Sequence, residues 1–124
     1  MKPVSWPAGF SIERLAGEHR RASFESGDPA VDEWLRTKAL QHQRKRLSST
    51  RVLLDSSGAI AGFFTLASAQ IDFQDLPPAE TKTLPRRQLP VAVLAWLGVR
   101  QDLQRQGIGA RLLAQALREC HDVS

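Results

Sequence analysis

The sequence has no tyrosine, one cysteine and one methionine in 124 residues. A single cysteine, Cys120, cannot close an internal disulfide, which fits a reducing compartment and excludes a disulfide-stapled scaffold. His19, His42 and His121 have no metal-ligand spacing with Cys120 or with each other, so no metal site is expected. No apolar run approaches the length of a membrane span. The opening Met1-Lys2-Pro3-Val4-Ser5-Trp6-Pro7 lacks the apolar core of a secretory signal, so a cytoplasmic protein without membrane contact is expected. There is no internal repeat, no low-complexity tract and no Walker phosphate loop, which needs G-x-x-x-x-G-K-[ST].

What is present suits one small α/β (α+β) domain over residues 1–124, with a single core. The net charge of +4 modestly favours a polyanionic partner. Phe10 to Leu15 alternates well enough for a first strand. Asp28 is placed as an N-cap with Pro29 pre-set for the first helical position. Val31, Trp34, Leu35, Ala39 and His42 then recur at helical spacing, predicting one helix that ends near Arg44-Lys45-Arg46. Arg51 to Asp55 reads as a strand, Ser56-Ser57-Gly58 as a hairpin turn, and Ala59 to Ala69 as its partner. Asp72 to Pro90, with four prolines, reads as loop with room for one helical turn. Val91 to Val99 is nearly unbroken apolar sequence and predicts a central strand covered on both faces. A last helix from about Gly107 is expected to bury Leu112, Leu113, Ala116, Leu117 and the small thiol of Cys120.

Between that strand and helix stands Gln104-Arg105-Gln106-Gly107-Ile108-Gly109. The glycines remove side chains where a ligand could approach the backbone, and the helix start offers unpaired N–H groups to an anion. The order excludes a dinucleotide fold, where G-x-G-x-x-G follows the first strand. A pyrophosphate-bearing cofactor is the natural guest.

Gln104-x-x-Gly107-x-Gly109 in this setting resembles motif A of the GNAT superfamily of acyltransferases, [QR]-x-x-G-x-[GA] after the fourth strand. The resemblance implies a mixed, mostly antiparallel central sheet flanked by helices, and acetyl-CoA (coenzyme A) as cofactor. Gln104, Arg105, Gln106, Gly107, Ile108, Gly109 and Ala110 would hold the pyrophosphate, and Leu97, Gly98 and Val99 would offer backbone groups to pantetheine and acetyl. Further motifs narrow it: Phe24 to Leu35, Gly62 to Ala67, Arg86 to Pro90 and the strand into Val99 are similar to the acetyltransferase toxins of bacterial type II toxin–antitoxin pairs. Those toxins acetylate the amino group of aminoacyl-tRNA, block translation and pair with a ribbon-helix-helix antitoxin; a homodimer is a further partner the resemblance allows. Arg36, Lys38, Arg86 and Arg87, with Arg44 to Arg46, are the candidate tRNA contacts, because guanidinium groups suit phosphate geometry.

The chain also departs from the pattern. Such toxins carry a tyrosine beyond the motif A helix as acid for the leaving thiolate, so no catalytic residue is assigned in this chain. The sequence reads as the N-terminal and central portion of a GNAT domain, truncated after the motif A helix, with an exposed edge on the fourth strand. Trp96 stands where a basic residue is common. The amine of an aminoacyl ester is less basic than that of lysine, so much of it is neutral near pH 7 and a positioned water can replace a strong base. Two alternatives remain: a catalytically incomplete protein that binds coenzyme A or antitoxin, and an acetyltransferase of protein or small-molecule amines.

Overall fold

Four antiparallel strands with helices on both faces make up the described residues, 3–71 and 89–123, of the computed structural model. The order along the chain is β1 (Ser11–Arg14), α1 (Pro29–Thr37), α2 (Ala39–Arg44), β2 (Ser48–Leu54), β3 (Ile60–Ile71), β4 (Leu89–Val99), a 3-10 turn (Gln101–Leu103) and α3 (Ile108–Val123). The sheet runs β1-β2-β3-β4, the mostly antiparallel arrangement expected. No helix among the described residues is long and apolar enough to cross a membrane.

Alternation along β2 and β3 divides the core into two layers. Val52, Leu54, Ile60 and Phe63 pack with Phe24, Trp34, Leu35, Ala39 and Leu40 beneath α1 and α2. Leu53, Ala61 and Phe64 face Ile108, Leu112 and Ala116 of α3. Phe63 and Phe64 are adjacent in sequence, so they fall in opposite layers. Each is fully buried, an apolar contribution of about 1.5–3 kcal/mol before entropy costs. A polar path ties the α1–α2 layer to the sheet. Trp34 Nε1 donates to Thr65 Oγ1 at 3.2 Å, and the Thr50 and Thr65 hydroxyls share a 2.7 Å bond. The Gln43 amide donates to Leu15 O at 2.7 Å and accepts from Thr50 N at 2.9 Å. These partners keep buried polar atoms satisfied.

Asp28 caps α1 as expected, accepting from Ala30 N at 3.0 Å, with Pro29 at the first position. The predicted single helix is two: the backbone breaks at Lys38 (φ −122°, ψ −32°) and restarts as α2. β2 begins at Ser48, before the predicted Arg51. Asp55 organises the β2–β3 hairpin turn by accepting from Ser57 N and Ala59 N at 2.9 and 3.1 Å. Of the predicted loop, residues 72–88 lie outside the described residues, and Leu89 and Pro90 belong to β4.

Two burial expectations are corrected. β4 is the last strand of the described sheet, and its early residues Ala92 to Ala95 are exposed. It is covered on both faces only near its end, where Trp96 joins the α1–α2 layer and Leu97 and Val99 join the α3 layer. The buried stripe of α3 is Ile108-Leu112-Ala116, repeating every four residues. Leu113 and Leu117 lie one position round the helix and are 42% and 55% exposed, and Cys120 is half-buried.

Candidate functional site

β4 enters the site carrying a bulge. Thr65 pairs with Trp96 but Leu66 pairs with Leu94, so Ala95 is the extra residue. Beyond it the ladder continues through Phe64–Leu97, Phe63–Gly98 and Gly62–Val99, and Arg100 N donates to Ala61 O at 2.9 Å. In an antiparallel ladder, successive residues direct their backbone groups to opposite sides. With Arg100 facing β3, Gly98 also faces β3, while Leu97 and Val99 present their N–H and C=O groups at the open edge. Gly98 contributes differently. A Cβ there would meet Phe63 Cε1 and Val31 Cγ1, each at 2.8 Å, so only glycine lets β4 settle between these neighbours.

The turn from β4 into α3 brings the predicted residues together. The Gln104 side-chain amide donates to Val99 O at 2.9 Å and to Ser26 O at 2.6 Å. Arg105 (φ 65°) and Gly107 (φ 83°) are both left-handed, on either side of Gln106. Alternation of hand of this kind turns successive N–H groups toward a common hollow. A Cβ on Gly107 would project into open space, with nothing within 4 Å. The first capped bond of α3 is Arg111 N to Gly107 O at 3.1 Å, which leaves the amides of Ile108, Gly109 and Ala110 without an intrahelical acceptor. Ile108 is buried and anchors this end, and a Cβ on Gly109 would lie 3.6 Å from Val99 Cγ2. The result is an open, electropositive backbone concavity beside the outward-facing groups of Leu97 and the N–H of Val99, whose carbonyl is taken by Gln104. Its form fits a diphosphate with an extended amide-bearing arm running along β4.

Several residues that hold this geometry were not singled out from sequence. Asp32, buried at the start of α1, accepts Ser26 N at 3.0 and 3.2 Å. Gln101 N donates to Glu25 O at 2.9 Å. The loop before α1 is thereby tied to the turn before α3, with Ser26 held by Asp32 on its N–H and by Gln104 on its C=O. A Cβ on Gly62 would meet Leu112 Cδ1 at 2.9 Å and Gly98 O at 3.0 Å. A glycine inside a strand signals such close approach, so Gly62 was detectable. Ser26 and Asp32 fall within the Phe24 to Leu35 motif, where nothing marks them as this tie.

Arg100 braces the site from below. It donates to Asp102 at 2.7 Å and to Asp55 at 2.9 Å. The Ser57 hydroxyl and Arg100 hold the Asp55 carboxyl well below the usual carboxylate range against the opposing effect of burial. Asp102 in turn raises the Arg100 guanidinium. Of the predicted substrate contacts, Arg36 and Lys38 are exposed at the end of α1 and at the α1–α2 break. Arg86 and Arg87 lie outside the described residues.

Comparison with known proteins gives the family and the fold. A family profile described as the acetyltransferase (GNAT) family matches residues 14–123. A tRNA-acetylating toxin of Mycobacterium tuberculosis (strain ATCC 25618 / H37Rv) is 32% identical over 114 residues, covering 91% of this chain and 68% of the toxin. The crystal structure of AtaTR bound with AcCoA shares 25% identity and a TM-score of 0.81, covering 94% of this chain and 70% of that one. AtaT complexed with acetyl-methionyl-tRNAfMet shares the fold, with a TM-score of 0.73 at 24% identity over 88% of this chain and 67% of that one.

Proposed function

This chain belongs to the GNAT family of acetyltransferases, and on that premise we propose that it transfers the acetyl group of acetyl-CoA to the free amino group of an aminoacyl-tRNA, as a toxin that blocks translation. The observation that carries the reading is the Gln104 clamp. One side chain joins the free edge of β4, the loop before α1 and the amide-lined turn. The 32% identity to a tRNA-acetylating toxin supports the substrate class.

In this reading Gln106 to Ala110 bind the diphosphate through backbone N–H groups, and Leu97 and Val99 bind the pantetheine arm. Acetyl-CoA supplies an acetyl thioester beside β4 when bound. The strand amides there orient its carbonyl and favour negative charge on oxygen. Trp96 precedes Leu97 and stacks on Trp34 at 5.2 Å with planes 8° apart, so it forms a rigid wall next to the reacting end. Much of the amine is uncharged near pH 7, so a positioned water can replace a strong base on this chain. Arg36, Lys38, Arg86 and Arg87 serve as phosphate contacts, and a ribbon-helix-helix antitoxin is the partner that restrains the toxin.

The test is incubation with labelled acetyl-CoA and a mixture of charged tRNAs. Label on the α-amino group of the tRNA-linked amino acid is expected. Label only on protein lysines or small amines would replace the tRNA reading with another amine acceptor.

A further inference from the structure

At the far end of α3, roughly 16 Å from the glycine turn at 1.5 Å per residue, lies a second feature with its own chemistry. A cleft of about 590 Å³ opens between the start of β2, the middle of β3 and the last turns of α3. Arg46, Arg51 and Arg118 line it with a single carboxylate, Glu119. Arg51 pairs with Glu119 at 2.7 Å. Arg46 and Arg118 have no ion-pair partner among the described residues, so the cleft keeps an excess of positive charge. Ser48, on its wall, has a hydroxyl oxygen shut off from solvent with no hydrogen-bond partner among the described residues, an unmet polar group of the kind that marks functional sites.

The backbone leads a basic strip into this cleft. Arg46 is left-handed at φ 60°, a conformation a long side chain adopts at a cost. Its N–H donates to Gln43 O at 3.0 Å, and Leu47 N donates to His42 O at 2.9 Å. That turn swings the chain from α2 into β2. Arg44 and Lys45 line a shallow depression with Arg21 and Thr37, whereas Arg46, next in sequence, lines the cleft. The run Arg44-Lys45-Arg46 therefore rounds the end of α2 and continues into Arg118 and Arg51.

We propose that this cleft holds a phosphodiester of an RNA strand that wraps the end of α2. The proposal rests on the RNA substrate class proposed above and adds a second contact region to it. Guanidinium forks match phosphate oxygens in pairs. A strip of cations turning a corner fits an extended polyanion charged at every backbone unit, more than a peptide with scattered carboxylates.

Binding of deacylated tRNA, followed by fluorescence anisotropy across a salt series, tests it. The double variant Arg46→Ala/Arg118→Ala should lower the slope of log K against log salt by about 2, near one per phosphate contact. A thermal melt confirms that the variant is folded. Glu119→Gln frees Arg51 and should tighten binding and steepen the slope. Unchanged slopes in both variants with intact tRNA binding would overturn the proposal, as would a wild-type protein that binds labelled poly-glutamate but not tRNA. Wild type that acetylates charged tRNA while the double variant keeps its slope would reject the cleft and leave the proposed function standing. Wild type that binds tRNA through the cleft without acetylating it would do the reverse.

Discussion

At its N-terminal end α3 starts from a turn whose chemistry is backbone: amides of Gln106 to Ala110, freed by left-handed residues and lined by glycine. At its C-terminal end the same helix borders, with β2 and β3, a cleft lined by arginine side chains from positions 46, 51 and 118. Both ends offer positive charge to an anion, but they differ in what sets the geometry. Backbone amides are fixed by the fold and cannot be removed by truncating a side chain. Guanidinium groups are fixed only by their own rotamers and their pairing, as Arg51 is by Glu119. The first arrangement suits a ligand held in one pose for chemistry. The second suits a polymer that slides into register.

That contrast can be broken at the backbone end first, where the largest effect is expected. Gly107→Asp places a carboxylate in the open space the amides face, at a φ of 83° that already strains a side chain. Acetyl-CoA binding by calorimetry should be abolished while the circular dichroism spectrum is retained. Unchanged affinity would remove the turn from the cofactor site.

Gly98→Val comes next. Its new atoms meet Phe63 and Val31 from 2.8 Å inward, and overpacking of this kind costs about 1–3 kcal/mol. Urea denaturation should show that loss. An unaltered midpoint would mean that β4 has slack beside α1.

Gln104→Ala removes two donors without adding bulk. Each such bond is worth about 1 kcal/mol net, so acetyl-CoA affinity should fall by up to about thirtyfold. If it does not fall, the turn is held by Ile108 and the glycines alone.

The smallest effect is a pH dependence beneath the turn. The Asp55 carboxyl is held below its usual range, chiefly by Ser57 and then by Arg100. A depressed folded value gives stability that is fully present above the unfolded value, about 3.9, and is lost as pH falls below about 4 toward the folded value. Wild type should therefore lose more stability than Asp55→Asn between pH 5 and pH 3 in urea melts. Equal losses would place the acid sensitivity elsewhere.

The turn that opens α3 was legible because an open, left-handed backbone demands a local residue pattern, and Gln104-x-x-Gly107-x-Gly109 is such a pattern. The cap of α1 was legible for the same reason, since Asp28 and Pro29 act within three residues of each other. Burial was less so. The apolar run Val91 to Val99 matches a fully covered strand, yet nothing in it distinguishes an exposed first half from a covered second half. Leu113 and Leu117 fit a helix face as well as Leu112 and Ala116 do, and only the position of the sheet decides between them. The break at Lys38 has neither glycine nor proline to announce it. Arg46 stood among the candidate tRNA contacts, but its place in one cleft with Arg51 and Arg118 was out of reach, because topology alone brings these positions together.

The central claim is that the amides opening α3 grip the diphosphate of acetyl-CoA while the end of β4 holds its arm. Titrating coenzyme A into nitrogen-15-labelled protein and following backbone amide resonances addresses it directly. The largest shifts should fall on Gln106 to Ala110, with Leu97 and Val99 following. Shifts concentrated on other segments, with those amides unmoved, would contradict it.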